Sequence, residues 1–439
     1  MKALKITLAV LGIVVLSAIV LAQGFITYLA ASGRDVLARE DAAKAQANQA
    51  ELATVATAGA RACVSMKQNR PSAWDVGDEK YLQHKKDWLD ICQREAAAAD
   101  AAPAVQLAYY EALFASDRRA EALAVLRKLA ATDNAEALRE IYEQHRSWEK
   151  DDVNVVPMIS RKEAGDSLRR AAELGDTDSM ARYSVNLYQG SIIKRDVDAA
   201  AYWMERTYRN PARHYTPADV IISTANMLTE SADPEKRARG ISILEANPNN
   251  PRARAELGRA IRMDDPVRAR GLFEATLHAW PGVSLPPLAD MLIKGEGGPA
   301  DPKRAVKLLQ SHSNKSAPAS INAALGRVYA EGKLLPQDLQ KAGELMSGDT
   351  QWSVAAKIEY ARFLAEHPTV KPYNATRFTH RLTDIAELGE PGAMDALIAL
   401  KLSANADFTD KTGGCKLAER AVAAGDESAK KFLSACTVN

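Results

Sequence analysis

Three stretches of the sequence repeat one spacing of glycine, aspartate and alanine, and this repeat limits the possible folds more than any other feature. In each stretch a helical pattern ends at a glycine, an aspartate follows six residues later, and an alanine lies four residues beyond it. A large apolar residue follows after three more positions. The four positions are occupied by Gly190, Asp196, Ala200 and Trp203, by Gly295, Asp301, Ala305 and Leu308, and by Gly332, Asp338, Ala342 and Leu345. Such a repeat predicts stacked copies of one small unit rather than a single closed core.

The spacing has a direct physical interpretation as a two-helix hairpin. Glycine readily takes the left-handed conformation that ends a helix, and aspartate accepts hydrogen bonds from the free N–H groups that begin the next one. The alanine lets the two helices approach, and the apolar residue fills the space between neighbouring hairpins. A second phrase, centred on Gly175, Gly389 and Gly425, marks the junctions where one unit stops and the next begins.

The composition fits a helical array. At 439 residues the chain exceeds what one compact core usually holds. Alanine, the best helix former, is abundant, and aromatic residues make up only 6%. No run of alternating β-branched residues between hairpin turns predicts a strand. The formal net charge of +1 lacks the basic surplus of nucleic-acid-binding proteins, so we expect no nucleic-acid partner.

The N-terminus contains a long uncharged segment. Residues 6–33 carry no charged side chain, follow Lys2 and Lys5, and are rich in leucine, valine and isoleucine. About 20 residues suffice for a helix to cross a bilayer, so we predict an uncleaved transmembrane anchor. The two lysines favour a cytoplasmic N-terminus, which places the rest of the chain across the membrane. A signal peptide cleaved near Ala22 is the alternative.

The four cysteines form two pairs that are close in sequence. Cys63 pairs with Cys92 and Cys415 with Cys436, and each pair brackets two predicted helices joined by a turn. An even number of cysteines in an exported chain is typical of disulfides. We therefore predict both disulfides, with buried free thiols as the alternative.

The best-preserved repeat resembles a known family. Its pattern is Leu-Gly-x-x-Tyr-x-x-Gly followed by Asp-x-x-Lys-Ala, which resembles the Sel1-like repeat, a relative of the tetratricopeptide repeat. The resemblance implies a right-handed helical solenoid whose concave face contacts proteins and carries out no catalysis. The residues that carry it are Leu325, Gly326, Tyr329, Gly332, Asp338, Lys341 and Ala342.

The same stretch is also similar to the periplasmic scaffold lipoproteins of alginate secretion within that family. This chain departs from them because it lacks a lipid-attachment cysteine near Ala22 and has a predicted inner-membrane anchor instead. The resemblance implies a role in exopolysaccharide synthesis or export.

The sequence offers no recognisable set of catalytic or metal-binding residues. It lacks the helical zinc motif with two histidines four residues apart and the Gly-x-Ser-x-Gly nucleophile elbow. The glycine-rich segment after Gly295 lacks the Gly-Lys-Ser/Thr ending of a phosphate loop. The aromatic pairs Tyr109-Tyr110 and Tyr202-Trp203 are predicted to pack in the core and between repeats. We therefore predict no enzyme activity and no cofactor.

These observations predict an all-α superhelical solenoid in three parts. Residues 1–33 are the transmembrane anchor, residues 34–103 a disulfide-linked helical hairpin, and residues 104–439 the repeat array. The predicted function is a periplasmic scaffold on the bacterial inner membrane that binds envelope proteins, including components of polysaccharide synthesis or export. The alternative is a periplasmic regulatory module that binds and restrains a membrane sensor.

Overall fold

The fold was examined in a computed structural model. It describes residues 61–68, 78–98, 100–151, 158–207, 216–314, 316–348, 353–372 and 374–436. The predicted anchor at residues 1–33, and most of the helix predicted to follow it, lie outside these residues. Among the helices described, none has both the length and the apolar character needed to span a membrane.

The described residues form α-helices and one short 3-10 segment, Glu427–Ala429, without any strand, which confirms the all-α prediction. The helices are α1 Arg61–Gln68, α2 Asp78–Ala96, α3 Pro103–Ala115, α4 Arg119–Ala130, α5 Ala135–Asp151, α6 Arg161–Glu173, α7 Thr177–Gln189, α8 Val197–Thr207, α9 Pro217–Thr229, α10 Pro234–Glu245, α11 Pro251–Ile261, α12 Pro266–Thr276, α13 Pro281–Lys294, α14 Pro302–His312, α15 Ala319–Glu331, α16 Leu339–Ser347, α17 Val354–Glu366, α18 Ala375–Glu387, α19 Ala393–Leu402, α20 Lys411–Ala423 and α21 Lys430–Cys436.

The chain divides into two compact units, with the division between Leu129 and Ala130. In the first unit, α1, α2 and α3 pack around Trp88 and the Cys63–Cys92 disulfide, all fully buried. The indole Nε1 of Trp88 donates a hydrogen bond to the carbonyl of Cys63 at 3.2 Å. The sequence-based boundary falls between α2 and α3, whereas the structure packs the apolar side of α3 into this same core.

The described residues of the second unit form eight helical hairpins, from α5/α6 to α19/α20. Each second helix begins at a side chain that accepts a hydrogen bond from a backbone N–H of its first turn. These capping residues follow one another at intervals of 32 to 37 positions, which is the length of one repeat. They are Ser160, Asp196, Asp233, Asp265, Asp301, Asp338, Asn374 and Asp410.

Glycines end helices at the positions that the repeat predicts. Gly190, Gly295 and Gly332 end α7, α13 and α15 with φ angles of 66°, 75° and 69°, in the left-handed region. The repeat alanines Ala200, Ala305 and Ala342 are fully buried between helices. The hairpin is thus defined by a glycine stop, a carboxylate cap and a close helix contact.

The two helices of each hairpin have different surroundings. Several first helices contact the next first helix along the array, as α9 does α11, α11 does α13, α13 does α15, and α17 does α19. No pair of consecutive second helices in the described residues shares a comparable contact. Ion pairs between side chains join several consecutive second helices instead. Examples are Arg239 with Glu205 and Arg304 with Glu274. The array therefore curves with its first helices on the inside, and we call their common surface the inner face.

The C-terminal end is covalently closed. The Cys415–Cys436 disulfide joins α20 to α21, and Ala418 and Ala429 are buried beside it. Both predicted disulfides are thus present.

Candidate functional site

The candidate site is a groove on the inner face, where α7, α9 and α11 come together. It has a volume of about 400 Å³. Polar side chains from the three helices line it, and two methionines form part of its wall. The lining residues are Val185, Tyr188, Gln189, Met204, Asp219, Ser223, Asn226, Met227 and Arg252.

A hydrogen-bonded network that includes the groove residues Tyr188 and Asn226 links three consecutive first helices. Tyr188 of α7 donates from its hydroxyl to Glu230 at 2.6 Å, and Asn226 of α9 donates to the same hydroxyl oxygen at 3.1 Å. Arg259 of α11 donates to the amide oxygen of Asn226 and pairs with Glu230 at 3.0 Å. Glu256, one turn earlier in α11, accepts from Arg259 at 3.1 Å. We call these five residues the inner-face network.

The surroundings of Tyr188 and Arg259 raise the pKa of both groups. Burial favours the neutral form of Arg259, but Glu256, Tyr188 and Glu230 outweigh burial and hold the pKa of the guanidinium above its ordinary value. Burial raises the pKa of Tyr188, and the nearby Glu230 acts in the same direction while Arg259 opposes it. The phenol therefore remains a hydrogen-bond donor and Arg259 remains a cation at neutral pH.

The same contact occurs one repeat earlier. Asn186 of α7 donates to the hydroxyl of Tyr142 in α5 at 2.9 Å, as Asn226 does to Tyr188. Each asparagine thus ties its first helix to the preceding one. Asparagine is a poor helix former. At these two positions the hydrogen bond between repeats offsets the lower stability of the helix itself.

An aromatic residue borders the groove on the side of α13. Arg252 of α11 donates to the hydroxyl of Ser223 at 3.0 Å and lies 6.0 Å from the ring centre of Trp280. Trp280 is 42% exposed, although it belongs to a residue type that is usually well buried. An exposed tryptophan beside an arginine combines apolar area with charge, which is typical of residues that dominate protein interfaces.

The groove presents fixed donors and acceptors but no reactive group aligned with a base. Within the described ranges, no three histidine, cysteine, aspartate or glutamate side chains are grouped closely enough to hold a metal ion. The geometry therefore suits recognition of a segment that carries both polar and apolar groups.

None of the residues singled out by the repeat pattern is among those that line the groove. Tyr329 packs under Lys341, whose Nζ donates to the tyrosine hydroxyl at 2.9 Å. Gly326 allows the close approach of α16, since a Cβ atom there would lie 2.8 Å from Met346. Leu325 is buried in the core between repeats.

The predicted aromatic pairs have mixed positions. Tyr110 is buried in α3, and Trp203 packs edge-on against Tyr183 with ring centres 5.5 Å apart. Tyr202, in contrast, is 54% exposed, so the prediction that it belongs to the core is wrong. Its hydroxyl accepts a hydrogen bond from Arg206 one turn later, which satisfies it at the surface.

Sequence reasoning did not identify Asn226, Glu230, Arg252, Glu256 or Arg259 as members of a site. The available signal was the position of the asparagines Asn186 and Asn226, which both lie inside predicted helices, the second of them strongly apolar. Their convergence with Arg259 depends on how the three helices are rotated, which the repeat spacing does not specify.

We predict that Arg259→Met destabilises the second unit by about 1–3 kcal/mol, because it removes the cation paired with the buried Glu256, whereas Glu230 keeps its ion pair with Arg195. Glu256 is only 7% exposed and Glu230 is half-buried, whereas the Arg259 side chain itself is 42% exposed, which moderates the cost. Urea unfolding of the full chain, followed by circular dichroism, measures the change in the free energy of unfolding.

The matched control for this prediction is the double variant Arg259→Met with Glu256→Gln. Neutralising the buried carboxylate removes much of the penalty, so the double variant is expected to be more stable than Arg259→Met alone. If the loss of stability in the double variant equals the sum of the losses in Arg259→Met and Glu256→Gln, the two charges do not interact as described.

Solved structures that are similar to this chain include three that are distant from it in sequence. The first is c5321, a protective antigen of uropathogenic Escherichia coli with an SLR fold, at 15% identity and a TM-score of 0.36, covering 87% of this chain and 80% of that one. The second is a Sel1 repeat protein from Oxalobacter formigenes, at 17% identity and a TM-score of 0.35. The match covers 55% of this chain and 95% of that one. The third is yeast Tom70, at 14% identity and a TM-score of 0.38, covering 86% and 89%. No curated protein matches the chain significantly in sequence.

A family model assigns the repeats directly. The model described as Sel1 repeat matches residues 177–210, 288–311 and 322–347. These segments contain Gly190, Gly295 and Gly332 with their aspartate caps. The resemblance found in the sequence is confirmed: the chain contains Sel1 repeats.

Proposed function

We propose that this chain is a non-catalytic scaffold that binds protein partners along its inner face. The observation that carries the proposal is the groove between α7, α9 and α11, which is lined by Tyr188 and Asn226 of the inner-face network and by Arg252, the neighbour of the exposed Trp280. Stacked hairpins leave a long curved surface for partners. Because the inner-face network is already ordered, binding costs less side-chain entropy than it would on a flexible surface.

We place this scaffold in the bacterial periplasm, held at the inner membrane by residues 1–33. The two disulfides support this location, since they persist in oxidising compartments. The uncharged N-terminal run and its preceding lysines support the anchor. The resemblance to alginate-secretion scaffolds supports an envelope assembly for exopolysaccharide synthesis or export as the destination.

Cross-linking in intact cells followed by purification from membranes tests the proposal. The wild-type chain is expected to recover a polysaccharide synthase or an export component. Arg252→Glu and Trp280→Ala change the groove, and each is expected to reduce that recovery at least about tenfold, as loss of an interface anchor does.

Tyr202→Ala is the matched control, because it removes an exposed aromatic residue that also lies beside an arginine but on a second helix. This variant should recover the partner at the wild-type level. Recovery of the chain without any partner, or equal recovery by all four proteins, would contradict a role as a scaffold that uses this groove.

A further inference from the structure

Two parts of the second unit that are far apart in sequence meet through charged side chains. Arg161, the first residue of α6, lies 3.1 Å from a carboxylate oxygen of Asp384 and 3.2 Å from one of Glu387, both in α18. Arg161 and Glu387 are separated by 226 positions. The superhelix therefore brings its later hairpins back against its earlier ones.

A second bond lies beside the first. The backbone N–H of Arg195, in the turn between α7 and α8, donates to Oε1 of Glu390 at 2.9 Å, across 195 positions. Glu390 is only 6% exposed. A buried carboxylate is costly without a hydrogen-bond partner, so this bond and the burial of Glu390 depend on each other.

Gly190 has a role at this contact in addition to ending α7. A Cβ atom at Gly190 would lie 2.6 Å from Oε1 of Glu390, closer than such atoms can approach. The absence of a side chain therefore lets Glu390 reach the N–H of Arg195. We call Arg161, Arg195, Asp384, Glu387 and Glu390 the closing contact.

The closing contact differs in kind from the contacts between neighbouring hairpins. Neighbours share buried apolar clusters that run through several helices. Among the described residues, the backbones of α6 and α7 do not pack against those of α18 and α19 as closely as neighbouring hairpins pack against each other. Leu388 faces Gly165, Ile192 and Ile193 across a groove of about 530 Å³ that remains open between them.

The charges around this groove are mostly basic on the side of the early hairpins. Lys162 and Arg169 pair with Asp166 there, and Lys194 also lines the groove. On the opposite side, Asp384 also lies 3.2 Å from Nδ1 of His380. The attraction across the contact is therefore between a basic edge and an acidic edge.

We propose that the closing contact is an electrostatic latch that holds the superhelix closed and opens while each hairpin stays folded. The bonds that form the closing contact are ion pairs and hydrogen bonds, whereas neighbouring hairpins share buried apolar clusters. Contacts with little apolar area belong to the least stable part of a structure and open first. An open superhelix would admit a partner segment to the inner face from the side. This consequence rests on the proposed function, whereas the existence of the latch does not depend on it.

Hydrogen exchange of the full chain, purified in mild detergent, tests the latch through the amide of Arg195. Arg161→Glu and Glu390→Ala are each expected to speed exchange of the peptide that contains this amide at least about tenfold. Amides in the middle of α7 and α8 should keep their wild-type rates, because the hairpin remains folded.

The variant Arg161→Glu with Asp384→Arg and Glu387→Arg restores opposite charges and should recover the slow exchange. Arg239→Glu is the matched control, because it breaks an exposed ion pair with Glu205 between second helices and should leave Arg195 unchanged. Exchange at Arg195 that is equal in wild type, Arg161→Glu and Glu390→Ala would overturn the latch. Faster exchange throughout α7 and α8 would overturn it too, since the hairpin itself would then be opening. None of these outcomes depends on a partner, so the proposed function is tested separately.

Discussion

Phe273→Ala is expected to lower the free energy of unfolding of the second unit by about 3–5 kcal/mol, which is typical of removing a large buried aromatic residue. Phe273 is fully buried in α12, within an apolar cluster to which four consecutive first helices contribute. Its ring lies against Gly258 of α11, where an added Cβ would be 3.0 Å from the ring. Because the ring packs directly on backbone, the neighbouring helix has little freedom to move into the space left behind.

Urea unfolding of the full chain measures this loss, and hydrogen exchange locates it. In an array where each hairpin contacts mainly its neighbours, faster exchange should appear in α11 to α14 while α19 and α20 change little. Phe273→Leu, which keeps much of the apolar volume, should lose clearly less, and the exposed Tyr202→Ala should lose almost nothing. An unfolding midpoint for Phe273→Ala equal to that of Tyr202→Ala would mean that this cluster does not hold the array together.

The sequence predicts the hairpin well wherever a glycine ends the first helix. α7, α13 and α15 end at Gly190, Gly295 and Gly332, and these are the three repeats that the family model also matches. In contrast, α9 and α11 end at Glu230 and Arg262 in ordinary right-handed conformations. Several residue types can end a helix in that way, so these repeats leave no distinctive mark at this position.

The capping position carries the repeat more consistently than the glycine does. Asp233, Asp265, Asn374 and Asp410 cap second helices that the glycine pattern misses. Their spacing of about one repeat is visible in the sequence once the caps are known. Aspartate and asparagine are common elsewhere on the surface, so this spacing becomes distinctive only when helix boundaries are available.

The inner-face network and the closing contact could not be predicted from the repeat. Tyr188 and Arg259 are separated by 71 positions, and Arg195 and Glu390 by 195. Their meeting depends on the small rotation between hairpins, summed over several repeats. Local spacing determines each hairpin but leaves that rotation undetermined, because it depends on side-chain volumes at every interface.

Replacing Cys63 and Cys92 together by alanine is expected to destabilise the first unit by about 3–4 kcal/mol. The chain-entropy estimate for a disulfide that closes about 30 residues gives this magnitude. The bond joins α1 to α2 at two fully buried cysteines, so its loss also loosens the packing of α1 against the core around Trp88. Thermal unfolding and hydrogen exchange of α1 to α3 in the full chain measure the effect.

The Cys415–Cys436 disulfide separates the contribution of loop closure from that of burial. It spans 21 positions, against 29 for the first, so loop closure alone predicts nearly equal losses for the two cysteine-to-alanine pairs. The first disulfide, however, is fully buried, and Trp88 donates a hydrogen bond to the carbonyl of Cys63 beside it. Cys415 and Cys436, in contrast, are partly exposed at the end of the array.

We therefore expect a mild reductant to open Cys415–Cys436 first, with loss of protection against hydrogen exchange confined to α20 and α21. Mass spectrometry of alkylated thiols follows the order of reduction, and simultaneous reduction of both bonds would show that the core around Trp88 does not protect the first.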